Sequence, residues 1–118
     1  MKESILKNKS YDFAIQIVNT YKLILSNKKE YSLSKQLLRS GTSVGANIRE
    51  AEFAQSTKDF ISKMSIALKE SNETDYWLSL LKDTEYIDFS TYNTLTNLNN
   101  ELIRMLVSTI NTMKSKTK

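Results

Sequence analysis

Cysteine, histidine and proline are absent from this chain, and glycine occurs only twice. Each absence excludes something. Without cysteine there is no disulfide framework, no thiolate nucleophile and no cysteine-based zinc site, a pattern compatible with a reducing cytoplasm. Without histidine the chain lacks the usual general base, the commonest transition-metal ligand and the side chain that titrates near neutral pH. Without proline no residue removes an amide donor from a helix, and the β-branched residues are scattered rather than alternating with polar ones, so an all-α fold is expected. No apolar run approaches the ~20 residues of a membrane span, and the opening MKESILKNKSYDF lacks the unbroken apolar core of a secretory leader. The expected location is therefore cytoplasmic.

The chain has 118 residues, a length for one domain over 1–118 that buries about two thirds of its unfolded surface. Apolar residues recurring at three- and four-residue intervals predict four helices. The first covers Ser4 to Lys28, with Leu6, Phe13, Ile17, Ile24 and Leu25 on one face, and stops in SNKKEYS. The second covers Ser34 to Ala54, with Leu37, Val44, Ile48 and Ala51 on one stripe and Ser32 or Ser34 as N-cap. The third opens at Ser56 or Thr57 and continues through Phe60, Met64, Ala67, Leu68, Leu78 and Leu81 to a turn at Glu85 to Ser90. The fourth covers Ser90 to Lys114 and carries two stripes, one through Leu95, Leu98, Leu102, Met105 and Thr109, the other through Ile103, Leu106, Ile110 and Met113. Short connections force neighbours to run antiparallel, which predicts an up-down-up-down four-helix bundle. The doubled stripe, with Tyr76, Trp77, Leu80 and Leu81 wrapping the third helix, suggests either self-association or a wide core face within one bundle.

Both glycines, Gly41 and Gly45, fall inside the second helix, where each costs about 1 kcal/mol relative to alanine. Either the helix breaks at SGTSVG, or it is continuous and the missing side chains let a neighbour approach closely. The unbroken phase of Leu37, Val44, Ile48 and Ala51 favours continuity, and Ser71 and Thr74 of the third helix are small residues suited to face the glycines. Arg39, Ser43, Asn47 and Glu50 form a polar stripe on the same helix, and Glu70 and Glu73 sit similarly on the third. As chemistry the stripe suggests a carboxylate metal site, but bundles of that kind use Glu-x-x-His pairs. With no histidine, neither metal nor cofactor is expected. The structural reading pairs Arg39 or Asn47 with a carboxylate of the third helix, within or between subunits, fixing register. Ser62 and Lys63 diverge on a helix, which disfavours a serine nucleophile, and no phosphate-cradling or dinucleotide motif occurs, so no enzymatic activity is expected.

Net charge is +4 and the isoelectric point about 9.2. In the antiparallel arrangement one end gathers Lys2, Lys7, Lys9, Arg49, Lys58, Lys63, Lys114, Lys116 and Lys118 against Glu3, Asp12, Glu50, Glu52 and Asp59, whereas the opposite end is balanced. A ring of subunits would repeat that basic end and suit salt-sensitive phosphate binding; the plain alternative is a solvated face and a lysine tail. No aromatic platform of the RRM type and no G-x-x-G loop occurs, so any preference would be for shape or backbone. Tyr11, Tyr21, Tyr31, Tyr86 and Tyr92 are available for stacking or for amphipathic packing.

The most specific stretch runs from Gln36 to Trp77, QLLRSGTSVGANIREAEFAQSTKDFISKMSIALKESNETDYW. Its pattern R-S-x-x-S-x-x-x-N-I-x-E-A, at Arg39 to Ala51, is followed by A-x-x-E-x-x-E-T-x-Y-W-L, at Ala67 to Leu78. With these motifs the chain resembles, over nearly its whole length, the four-helix-bundle family encoded in intervening sequences of bacterial large-subunit ribosomal RNA genes. It departs from the pattern at Phe53, where relatives often have a small residue. The resemblance implies a homo-oligomer, typically a homopentameric ring, without enzymatic activity. The fold is also similar to the accessory protein of diversity-generating retroelements, which works beside a reverse transcriptase and binds nucleic acid. Structured RNA or DNA, and a reverse transcriptase, are therefore the partners this likeness implies; a protein-only assembly or adaptor role is the alternative.

Overall fold

The computed structural model describes the backbone of residues 2–116 and the side chains of residues 5–116. Four helices make up this part of the chain: α1 Lys2–Lys28, α2 Leu33–Ala51, α3 Thr57–Asp83 and α4 Phe89–Lys116. The all-α expectation holds, and all the helix ends but one lie within two residues of those predicted. The second helix ends three residues earlier than expected. There the N–H groups of Glu52, Phe53 and Ala54 donate to carbonyls three residues back, Arg49, Glu50 and Ala51, at 3.2, 3.0 and 3.1 Å. This tightening of the last turn closes off the α-helical ladder.

Local chemistry explains the ends. Ser56 caps α3, accepting from the Asp59 N–H at 3.0 Å, while the Asp59 carboxylate accepts from the Gln55 N–H at 3.2 Å. At α2 the expected serine cap is not used. Glu30 takes its place, its carboxylate accepting from the N–H groups of Ser32, Leu33 and Ser34 at 3.0, 3.0 and 2.8 Å. A longer side chain set before the first turn reaches three orphan amides at once, where a serine hydroxyl reaches one. Past the other ends, Lys29 and Glu85 adopt φ of 52° and 68°. After α3, Tyr86 N–H donates to Leu81 O at 2.8 Å and Glu85 N–H to Lys82 O at 3.0 Å, a Schellman closure built without glycine.

Cross-helix contacts run in opposite senses at the seams between successive helices. Lys7 meets Glu52 and Ile17 lies beside Gly41 between α1 and α2. Arg39 meets Glu73 and Glu50 meets Lys63 between α2 and α3. Ser71 meets Asn99 and Lys82 lies over Tyr92 between α3 and α4. The helices are therefore up, down, up and down, arranged as a square in which α1 and α4 close the circuit with the sparsest contact. The rod measures 49 × 21 × 20 Å.

The core follows the predicted stripes through Leu6, Phe13, Ile17, Leu37, Val44, Ile48, Met64, Leu78 and Leu102. On α4 the two predicted stripes are one wide face: Leu95, Leu102, Leu106 and Ile110 are buried, and Leu98, Ile103, Met105 and Met113 half-buried. The apolar surface expected to be left over on α4 is mostly consumed by the bundle itself. Exposed apolar side chains gather instead on the outer face of α1, where Tyr11 is 57% and Ile15 45% exposed.

Candidate nucleic-acid interface

Because the helices alternate in direction, the start of α1, the end of α2, the start of α3 and the end of α4 share one end of the rod. Residues from three of them, including Ile48, Ala51, Phe60, Met64 and Met113, line a common hollow of about 380 Å³. This is the end on which the predicted cations converge, and the structure sorts them into two groups.

Lys7, Lys9 and Lys63 are engaged by carboxylates. Lys7 Nζ lies 2.8 Å from Glu52 Oε1, Lys9 Nζ 3.2 Å from Glu101 Oε2, and Lys63 Nζ 3.1 Å from Glu50 Oε1. The hydrogen bond and charge of Glu50 raise the Lys63 pKa above the ordinary lysine value, so its ammonium form persists to higher pH. The other group faces water. Arg49, Lys58 and Lys116 are exposed, and the Arg49 guanidinium sits 5.7 Å from the centroid of the Tyr11 ring, within cation–π range. Lys58 has no carboxylate partner among the described residues. The side chain of Lys2, and Lys118 altogether, lie outside the described residues.

The predicted helix-interface residues separate by partner. Helix α2 is continuous through both glycines, neither of which has a positive φ. Their neighbour, however, is α1 and not α3. A Cβ at Gly41 would stand 2.8 Å from Ile17 Cγ1, and one at Gly45 3.3 Å from the backbone carbonyl oxygen and hydroxyl of Ser10. The small residues of α3 are used elsewhere. Thr74 donates to Ser40 Oγ at 3.0 Å, and Ser71 donates to Asn99 Oδ1 at 2.5 Å while Asn99 Nδ2 donates back to Ser71 O at 3.0 Å. Ser40 and Gly41 are adjacent in sequence and so project about 100° apart on a helix, which sends one toward α3 and the other toward α1.

Along the polar stripe of α2 only the two ends reach across. Arg39 bridges to Glu70 Oε1 at 3.2 Å and to Glu73, whose carboxylate also accepts from Trp77 Nε1 at 3.2 Å, and Glu50 reaches Lys63. In the middle, Ser43 donates to Arg39 O at 2.6 Å and Asn47 to Ser43 O at 2.9 Å, so both bond within their own helix. Short polar side chains satisfy themselves on the preceding turn before they can span a helix gap. Asn99 was not singled out from the sequence, although its place four residues after Leu95 and three before Leu102 puts it on the buried stripe.

No group of three or more carboxylates gathers into a metal cage among the described residues, and no described helix is long and apolar enough to cross a membrane.

Comparison with curated proteins returned no match. Among solved structures, a Bacteroides thetaiotaomicron protein described as having unknown function and coming from the S23 ribosomal protein family is 55% identical. The match covers 94% of this chain and 99% of that one, with a TM-score of 0.93. The family model for the 23S rRNA-intervening sequence protein matches residues 2–108. The ion-paired glycine-bearing bundle described above thus belongs to the 23S rRNA-intervening sequence protein family.

Proposed function

We propose that the protein is a non-enzymatic, self-associating bundle that holds the phosphate backbone of structured RNA or DNA with the basic end of its assembly. The observation that carries this reading is the exposed set Arg49, Lys58 and Lys116, standing at one end beyond the lysines that Glu50, Glu52 and Glu101 neutralise. Backbone phosphates bind such a cluster without sequence readout and release counterions as they do so. One chain offers few contacts; several chains side by side would multiply them. Self-association itself is supported by the outer face of α1, where Tyr11 and Ala14 border a groove over Gly45 and Ala46 on one side and a shallow hollow with Ile15 and Val18 on the other. The five-membered ring implied by the family resemblance is one arrangement that would bring the basic ends together.

The test is an electrophoretic shift with structured RNA across a salt series. Affinity should fall with salt on a log–log slope of about −0.9 per duplex phosphate contacted, and Lys58→Ala combined with Lys116→Ala should flatten that slope. Binding that ignores salt, or no binding at low salt, would remove the reading. A second reading, an assembly or adaptor scaffold without nucleic acid, is favoured by the ion pairing of Lys7, Lys9 and Lys63, which spends part of the positive charge internally.

A further inference from the structure

We infer that Phe53 is a stacking platform for an unpaired nucleobase, which would give the basic end a preference for single-stranded or looped nucleic acid over continuous duplex. This rests on the nucleic-acid reading above and assigns it a specific aromatic contact. Phe53 is 79% exposed, the most exposed large apolar side chain described, and it stands in the turn between α2 and α3 at the basic end. Its N–H donates to Glu50 O at 3.0 Å, so the backbone that carries the ring is held on the last turn of α2. The ring itself takes no part in the hydrophobic core and makes no aromatic pair among the described residues.

The charges around the ring decide what it would accept. Every carboxylate flanking the turn is already engaged: Glu50 by Lys63, Glu52 by Lys7, and Asp59 by the Gln55 N–H. The cations at the turn, Arg49 before it and Lys58 after it, are exposed. A flat apolar ring with an exposed cation on either side of it in sequence, and with Glu50 and Glu52 ion-paired to lysines, suits a nucleotide better than an apolar protein anchor. The base lies on the ring and its phosphates meet Arg49 and Lys58. A base inside a duplex is already stacked on both faces and gains nothing from Phe53.

Fluorescence anisotropy with a labelled single-stranded RNA and with a duplex of the same length tests this, using wild type, Phe53→Ala, Phe53→Tyr and Lys58→Ala. Phe53→Ala should weaken single-strand binding about 5- to 100-fold, from the usual effect of removing one stacking aromatic, and change duplex binding less than about 2-fold. Phe53→Tyr should bind as wild type does, and Lys58→Ala should weaken both ligands alike. Equal loss on both ligands for Phe53→Ala, or no loss on either, overturns the stacking role while leaving the basic-end reading standing. Absence of any binding by wild type overturns both. Sedimentation of Phe53→Ala should give the wild-type mass; a smaller mass would identify the ring as a contact between copies of the chain and overturn the inference.

Discussion

At Gly41 and Gly45 the same substitution should have different effects, because the two positions face different parts of α1. Alanine at Gly41 would press on Ile17, a fully buried side chain with nowhere to move, at 2.8 Å. Overpacking of that kind costs about 1 to 3 kcal/mol, against a gain of about 1 kcal/mol in helix propensity. Gly41→Ala should therefore lower stability to chemical denaturant. Gly45→Ala meets Ser10 at 3.3 Å, a contact that a small shift relieves, and should stay within about 1 kcal/mol of wild type because propensity offsets the crowding. That glycine thins the second helix was legible in the sequence from the unbroken phase on either side. Which neighbour it admits was not, because helical phase tells which residues share a face and leaves open which helix that face meets. Asn99 was hidden for a related reason: an asparagine on a stripe of leucines becomes interpretable only when Ser71 is seen opposite it. Removing Asn99 alone strands part of that pair, so Asn99→Ala should cost about 1 to 3 kcal/mol, while Ser71→Ala with Asn99→Leu should be close to neutral. Urea unfolding of the single and double variants separates the two cases.

Among the elements, α2 has the start most dependent on one side chain. Burial of Glu30 acts to raise its pKa, but the N–H groups of Leu33, Ser34 and Ser32 outweigh that and hold it below the ordinary glutamate value of 4.5. A carboxyl with a depressed folded-state pKa contributes stability above its unfolded value, and that contribution is lost as pH falls through the folded value. Glu30→Ala should thus cost about 0.5 to 2 kcal/mol at neutral pH, in the range of other lost caps, and the difference from wild type should shrink below pH 4.5. Thermal melts between neutral and acidic pH measure it. The usual cap signal in a sequence is serine, threonine, aspartate or asparagine next to the first apolar residue, and Glu30 does not match it. Glutamate four residues before Ser34 has the reach but not the usual spacing. At the ends of α1 and α3 the departure is of another kind, since Lys29 and Glu85 occupy left-handed conformations that glycine adopts without penalty. Glu85→Gly should raise stability by about 1 kcal/mol.

For the whole molecule, the bundle and its connectivity could be read from periodicity and the absence of proline, whereas the location of the spare apolar surface could not. Two stripes on α4 look like excess on a helical wheel, but in a square of four helices a corner helix meets two neighbours and uses both. The outer face of α1 is where sister chains would meet under the reading given above. Ile15→Glu should then shift the sedimentation mass toward a single chain at micromolar concentration without lowering helicity. An unchanged mass places assembly elsewhere.

Each helix packs on the one that follows it, and only the α1–α4 seam joins segments distant along the chain, with the sparsest contact of the four. Hairpins that close locally form early, and a seam that must wait for both chain ends to meet is the natural last step in folding and the first to open. With no prolyl bond to isomerise, refolding should lack a phase of tens of seconds. Amide exchange should be fastest where α1 borders α4 and slowest between α2 and α3, so that the molecule unzips from the side where its two termini-bearing helices meet.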